Sequence, residues 1–411
     1  MSGKTATGGS TKAWDVIVVG ARCAGAATAM LLARAGLDVL VLDAARAGSD
    51  TLSTHALMRG GVIQLQRWGL LDQVIAAGTP AISRTDFHYG TSNFESVAIR
   101  PDSFAPALFA PRRAVLDSIL AGAAARSGAT VQHGVKVTGL LRDNKSQVTG
   151  VRYLDRRTGA TRSAPANLVI GADGRRSTIA GLVAADIQHA GRASGAVLLS
   201  YWSGLDQHAY QWFYQRGYTA GVVPSNDGLA CVWAGIPSAR FAARVDTDDL
   251  YDTVLAHSAP DLDLSPSRRH GPIRAFPGAP GFFRRSSGPG WALVGDAGYF
   301  KDPITAHGIS DGLRDAELLA DALLDELGGT VREGSALAAY QTTRERLSHQ
   351  LFATTEEVAG YQWDATRSRE LMRSVSSAMS DEVDHLQALP DRRVSPDFAP
   401  FIPPDTVPSA G

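Results

Sequence analysis

The stretch Trp14-Asp15-Val16-Ile17-Val18-Val19-Gly20-Ala21-Arg22-Cys23-Ala24-Gly25 decides the fold. Its first half is an apolar, β-branched run that stops at a glycine, the pattern of a strand buried on both faces. Ala24 to Ala35 then reads as a helix, ended by Gly36 as a helix C-terminal glycine would end it. A second apolar run, Val39-Leu40-Val41-Leu42, closes on Asp43. Strand, helix and strand within about 30 residues predict the βαβ unit of a parallel sheet. The turn fits G-x-G-x-x-G except that Arg22 stands where the second glycine belongs. In such a turn the first glycine permits the bend and the third lets helix and strand pack closely. The middle one lets backbone approach a pyrophosphate at the helix N-terminus. Arginine is compatible with that role if its Cβ points away from the phosphates, where its guanidinium would help neutralise them. The motif alone leaves both a phosphate cradle and an ordinary tight turn open. Asp43 at the next strand end favours the cradle, because a carboxylate there accepts hydrogen bonds from ribose hydroxyls.

Further along, Arg112 to Arg126 has helical periodicity, and Val131 to Leu141 reads as a strand pair. Leu168-Val169-Ile170 is another buried strand, ending at Gly171-Ala172-Asp173-Gly174. Between about Gly195 and Pro237 the texture changes to alternating apolar and polar residues, rich in aromatics, which predicts an antiparallel meander forming a separate sheet. Parallel texture resumes at Trp291-Ala292-Leu293-Val294-Gly295-Asp296, followed by a helix from about Ile309 to Leu327. The remainder reads as helical to about Leu389, with a Pro-rich tail from Pro390.

The 411 residues suffice for two or three domains, and 40 basic against 41 acidic residues leave a net charge of −1. That balance argues against a nucleic-acid partner. Cys23 and Cys231 are too few for a disulfide framework or a cysteine-based zinc site, and no metal site is expected. The longest stretch free of charged residues, Ala193 to Leu205, is too short for a transmembrane segment. The tail Met1 to Ala13 has neither an apolar signal core nor a twin arginine, so a cytoplasmic location is expected. Monomer and homodimer both stay open.

With Gly171-Ala172-Asp173-Gly174 and Gly295-Asp296-Ala297-Gly298 in place behind the first turn, the chain resembles the flavoprotein monooxygenase superfamily of the para-hydroxybenzoate hydroxylase type, with its geranylgeranyl-reductase and halogenase relatives. The resemblance covers about residues 15 to 330. It implies a Rossmann-like α/β FAD-binding domain of ββα layers, built from 14–75, 105–185 and 287–335. A mainly antiparallel substrate domain would comprise 76–104 and 186–286, with a C-terminal helical extension and tail over 336–411. Gly20, Arg22, Ala24 and Gly25 would lie by the FAD pyrophosphate, and Asp43 with Ala44 by the ribose. Ser53, Thr54 and His55 follow the ribose strand where relatives contact the flavin ring. Arg113 looks like the family arginine that reaches the cofactor, and Val137 would meet the adenine through its backbone. Asp173 would support both FAD and a pyridine nucleotide, and Asp296 would bond the ribityl chain. Pro303 to Ile309, including His307 and Gly308, would lie beside the isoalloxazine. A helix beginning near Gly308 would offer free N–H groups and a partial positive charge to a reduced flavin.

His307 and His55 are the candidate catalytic residues, each weighed against a purely structural place. Tyr201, Trp212, Tyr214 and Trp233 are the candidate substrate-pocket aromatics, against a reading as ordinary core. Arg59, Arg192 and Arg216 are candidates for a substrate phenolate or carboxylate, against a reading as surface arginines. Cys23 reads as a small residue in a tight turn. The implied activity is hydroxylation of an apolar, aromatic or polycyclic small molecule with O2 and NADH or NADPH, through a flavin C4a-hydroperoxide. The alternatives are a reductase or dehydrogenase of the geranylgeranyl-reductase type, a halogenase, and a non-catalytic flavin-binding protein. The halogenase relatives use a lysine after the first dinucleotide unit and a Trp-x-Trp-x-Ile-Pro motif. Here no lysine occurs between Lys12 and Lys136, and Trp233-Ala234-Gly235-Ile236-Pro237 lacks the first tryptophan and the spacing.

Overall fold

The computed structural model describes residues 13–389, apart from 206–207, 242–245 and 333. The N-terminal Gly/Ser/Thr-rich tail through residue 12 and the Pro-rich segment from Pro390 lie outside the described residues. Nine α-helices occur among the described residues: α1 (Cys23–Arg34), α2 (Arg59–Arg67), α3 (Leu71–Ala76), α4 (Arg113–Arg126), α5 (Thr178–Leu182), α6 (Thr247–Ser258), α7 (Gly308–Leu327), α8 (Ala336–Val358) and α9 (Ala365–Ala388).

The strand Trp14–Val19 is central in the first sheet, parallel to Val39–Asp43 on one side and to Thr161–Gly171 on the other. Thr130–His133 and Trp291–Leu293 extend the parallel order outward. Both faces of the strand are covered, which is why the run carries no polar alternation. Val16 and Val18 pack with α1, α4 and α7, whereas Ile17 and Val19 pack with Val137, Val151 and Ile179. The antiparallel pair Val135–Arg142 and Val148–Asp155 attaches to Thr161–Gly171 and supplies that second layer.

The second sheet has seven strands in the order Arg268–Phe276, Gly195–Ser203, Leu229–Pro237, Tyr218–Pro224, Tyr210–Gln215, Arg84–Tyr89 and Asn93–Ala98. The meander expected between Gly195 and Pro237 forms its centre. One departure is that Tyr210–Gln215 pairs in parallel with Arg84–Tyr89, so the sheet is not purely antiparallel. Side chains alternate across it with period two. Ala196 and Leu198 face the cluster around α6, while Val197, Leu199 and Tyr201 face the cluster that includes Trp212, Tyr214 and α9. Helix α9 folds back across that face, burying Leu371, Met372, Val375 and Ala378. A small third sheet joins Ile187–Ala190, Phe282–Arg284 and Tyr299–Phe300.

Candidate functional site: a groove and a cavity either side of one strap

The three glycine-bearing turns converge on a groove of about 690 Å³. Helix α1 begins without a side-chain hydrogen bond from Arg22, and α7 begins without one from His307. Arg22, Cys23 and Ala24 line the groove at the first helix end, and Gly308, Ile309 and Gly312 line it at the second. Two helix N-termini, with the N–H groups a helix leaves free and their partial positive charge, thus face one cavity. Small residues let these ends meet: a Cβ on Gly295 would stand 2.8 Å from the Ala24 Cβ, and one on Gly312 3.5 Å from it. Gly20 holds φ 107°, and a Cβ there would stand 2.4 Å from the Ala172 carbonyl oxygen. A Cβ on Gly25 would stand 1.9 Å from the Gly20 carbonyl oxygen, so Gly25 packs beneath the groove instead of lining it.

Asp43, Ala44, Ser53, Thr54, Arg113 and Val137 also line the groove. The Asp43 carboxylate accepts from the amides of Ala21 and Ala45, each at 2.6 Å, and so braces the turn it closes. The Arg22 guanidinium turns aside to Asp117 at 3.1 Å, the same carboxylate that Arg113 reaches at 3.0 Å. The Cys23 thiol donates to Asp117 at 3.1 Å, and burial pushes it well above the usual thiol range. It is a protonated, unreactive thiol. Asp173 lines the groove and accepts from the amides of Thr178 and Ile179 at 2.6 and 3.2 Å, bracing α5. Asp296 also lines the groove, its carboxyl pushed up to about 6 by desolvation against the opposing pull of Lys301, Arg113 and Arg175.

The segment Pro303 to Ile309 is a strap between two cavities. Asp302 secures its start by accepting from the Ile304 amide at 3.0 Å and from the Gly195 amide of the second sheet at 2.7 Å. Burial raises Asp302 to about 7 even so. Pro303, Ala306, Gly308 and Ile309 face the groove. Ile304, Thr305 and His307 face a second cavity of about 570 Å³. His307, expected as a flavin contact, therefore lines the far side of the strap. The walls of this cavity are Phe87, Tyr89, Trp212 and Tyr214 from the sheet, and Met372, Val375 and Met379 from α9.

Of the four expected pocket aromatics, Trp212 and Tyr214 line this cavity and Tyr201 and Trp233 do not. Trp233 packs against Trp212, ring centres 5.9 Å apart, inside the core. Tyr201 bonds His55 Nε2 at 2.5 Å and lies under the Arg112 guanidinium at 3.9 Å. His55 lines neither cavity: it is fully buried at φ 66°, and burial brings its imidazole down to about 3. Its neighbours Thr54 and Ala56 reach the groove instead. Arg59 stands at the mouth of the second cavity, held by Asp102 and by the Arg100 carbonyl at 2.9 Å. Arg192 and Arg216 are exposed and line neither space.

Behind the strap lies a buried ionic cluster that sequence reasoning missed. Arg314 donates to Glu382 at 2.8 Å, to Asp311 at 3.0 Å and to Asp315 at 2.6 Å. His307 Nε2 meets Glu382 at 3.0 Å, and Lys301 pairs with Asp311. No metal site was expected, yet His307, Asp311 and Glu382 bring ligand-type atoms within 4.8 Å of one another. Lys301 and Arg314 already pair with both carboxylates and supply the positive charge there. Burial lowers Lys301 to about 7. Asp311 and Arg314, one helical turn apart on α7, carry a weak sequence signal. Glu382 carries none.

A parallel sheet with a glycine turn under two uncapped helix ends, buttressed by a second sheet, is the architecture of a dinucleotide-binding flavoprotein. The model of a family described as an FAD binding domain matches residues 13–355, and the chain belongs to that family. The protein is an FAD-dependent oxidoreductase. It is 29% identical over 345 residues to the menaquinone reductase of Mycolicibacterium smegmatis, covering 78% of each chain. With the ubiquinone hydroxylase UbiL of Rhodospirillum rubrum it shares 25% identity over 376 residues, covering 85% of this chain and 82% of the relative. The solved structure of the flavin-dependent brominase Bmp2 superposes with a TM-score of 0.76 at 18% identity, covering 91% and 93% of the two chains. The groove fits FAD on its own geometry: two open helix N-termini, and a turn whose Gly20 leaves no room for a side chain. No helix among the described residues is long and apolar enough to cross a membrane.

Proposed function

We propose that the protein is a monooxygenase that uses NADH or NADPH and O2 to hydroxylate an apolar, aromatic or polycyclic small molecule. The observation that carries this reading is the second cavity, apolar and aromatic-walled, which shares the strap with the cofactor groove. Bound FAD would supply redox chemistry between a nicotinamide and oxygen. The chain supplies placement. The α1 N-terminus and Gly20 would hold the pyrophosphate, Asp43 the ribose and Asp296 the ribityl chain. The α7 N-terminus would stabilise negative charge on the flavin edge. Phe87, Tyr89, Trp212 and Tyr214 would orient a flat substrate and exclude water from it.

A reductase is the second reading, favoured by the likeness to menaquinone reductase. A halogenase is disfavoured, because the two lysines that line the groove, Lys136 and Lys301, both lie well beyond the first dinucleotide unit, and Lys301 is paired with Asp311. The test is NADH and NADPH oxidation by the FAD-loaded protein with a panel of phenols, naphthols and quinones, in air and without oxygen, with products examined by mass spectrometry under 18O2. Substrate-stimulated incorporation of one labelled oxygen is expected. Turnover that persists without oxygen and yields a reduced product would replace hydroxylation by reduction.

A further inference from the structure

Helix α9 begins at Ala365, beyond the residue 355 at which the family match ends, and it walls the second cavity. Two ties join it to the facing segment 95–102. Toward its start, Arg369 donates to Glu95 at 2.8 Å, and Arg373 stands 3.9 Å from the same carboxylate. At its end, Gln387 donates to Asp102 at 3.2 Å. Asp102 also takes Arg59 and the amides of Phe104 and Ala105, which anchors the second tie. Between the ties, no hydrogen bond or ion pair joins α9 to that segment among the described residues. The helix from Arg373 to Gln387 runs about 21 Å. This gap is open to solvent: Val97, Ala98, Ser376 and Ser380 line the cavity and are exposed, whereas Met372 and Val375 lie buried behind them. Ser376 and Ser380 are one turn apart, and their short side chains leave the gap uncovered. The Ser380 hydroxyl donates to the Ser376 carbonyl at 3.1 Å, so it serves its own helix. Charged lining residues gather at the ends, Glu95 with Arg373 and Arg59 with Asp384, and leave the middle uncharged.

We infer that this gap is an exit slot for an apolar chain, running between α9 and the strand Asn93–Ala98. The substrate is then an aromatic ring held by Trp212, Tyr214 and the strap, carrying an uncharged, flexible chain of several carbons. This rests on the second cavity being the substrate site, and it sets a chain-bearing ring above a compact polycycle. A closed cavity becomes overpacked once a lengthening ligand fills it. In the slot, each further CH2 leaves water for the apolar lips at Val97, Ala98, Ile99 and Met379. A fully buried CH2 contributes about 4-fold in affinity, and one half-covered in an open slot about 2-fold.

Calorimetric titration of the FAD-loaded protein with 4-butylphenol, 4-hexylphenol and 4-octylphenol tests this. Affinity should climb about 2-fold per carbon, so that 4-octylphenol binds about 16-fold more tightly than 4-butylphenol. Ser376→Phe combined with Ser380→Phe, both on the exposed face of α9, should close the slot and cut that ratio to within about 3-fold. Binding of 4-butylphenol should stay within about 3-fold of wild type. A wild-type ratio below about 3 overturns the slot and leaves the cavity as a site for compact ligands. A ratio that survives the double substitution also overturns it, because the chain then adheres to apolar surface elsewhere. If no alkylphenol binds, the slot and the substrate site fall together. The expected chain-length series without any oxygenated product upholds the slot and removes only hydroxylation.

Discussion

The two spaces on either side of the Pro303–Ile309 strap recognise by different means. The groove is built from backbone: a glycine turn at φ 107°, two helix N-termini and a carboxylate spent on bracing amides. The second cavity is built from side chains drawn from three distant parts of the chain, the strand Arg84–Tyr89, the strand Tyr210–Gln215 and α9. Backbone recognition demands particular small residues at fixed spacing, since a Cβ on Gly20 or Gly295 would stand 2.4 or 2.8 Å from neighbouring atoms. Side-chain recognition demands only shape, and an aromatic that lines a cavity is chosen from the same residues as one that fills a core.

That contrast can be broken first at Gly25. Gly25→Val, which forces carbon against the Gly20 carbonyl, should destabilise the fold by about 3 kcal/mol or more and lower FAD affinity over 100-fold. Flavin-to-protein absorbance and thermal unfolding would read both effects, and a variant that keeps its FAD would sink the backbone account. Asp296 offers the next effect. Its folded value, raised to about 6, lies above the unfolded value of about 3.9, so the group favours folding when protonated. Stability from it is fully present below about pH 4 and is lost as pH rises to about 6, by about 3 kcal/mol in the flavin-free protein. Asp296→Asn should flatten that fall in unfolding curves recorded from pH 4 to 7, and an unchanged slope would count against it.

On the other side of the strap, Val375→Trp should fill the second cavity while leaving the flavin content of the protein as it is. Substrate-stimulated NAD(P)H oxidation should then drop at least about 10-fold in kcat/KM. Loss of FAD together with activity would mean the two spaces are not separable. The smallest effect is expected at Cys23, whose buried thiol is held protonated beside Asp117. Native protein should show no fast-reacting thiol toward a disulfide reagent, and Cys23→Ala should bind FAD within about 2-fold of wild type.

The same contrast decides how much could be read from the sequence. Trp14 to Gly25, Asp43 and Asp173 announce themselves because each serves a backbone geometry with a fixed local spacing, and Asp296 because it follows the third glycine. The aromatic residues divide: Trp212 and Tyr214 line the second cavity, while Tyr201 and Trp233, on neighbouring strands of the same face, do not. Which strand faces the cavity depends on where α9 lies, and no local pattern encodes that. Phe87 and Tyr89 were missed for a related reason, since their strand joins the sheet by a parallel pairing that a hairpin reading does not anticipate. His307 was read as a neighbour of the flavin by its position in the strap. Ala306 and Gly308 line the groove, yet His307 between them lines the second cavity. The Glu382–Arg314–Asp311 cluster joins residues far apart in the chain, and burial alone makes it visible.

The position of α9 also bears on the order in which the two spaces come into being. Every residue lining the groove has been made by Gly312, whereas the second cavity waits for Ala365 onward. At the roughly 5–20 residues per second of synthesis, the groove's parts leave the ribosome several seconds before the helix that walls the other space. A nascent chain therefore carries every residue of the groove before α9 can wall the neighbouring space.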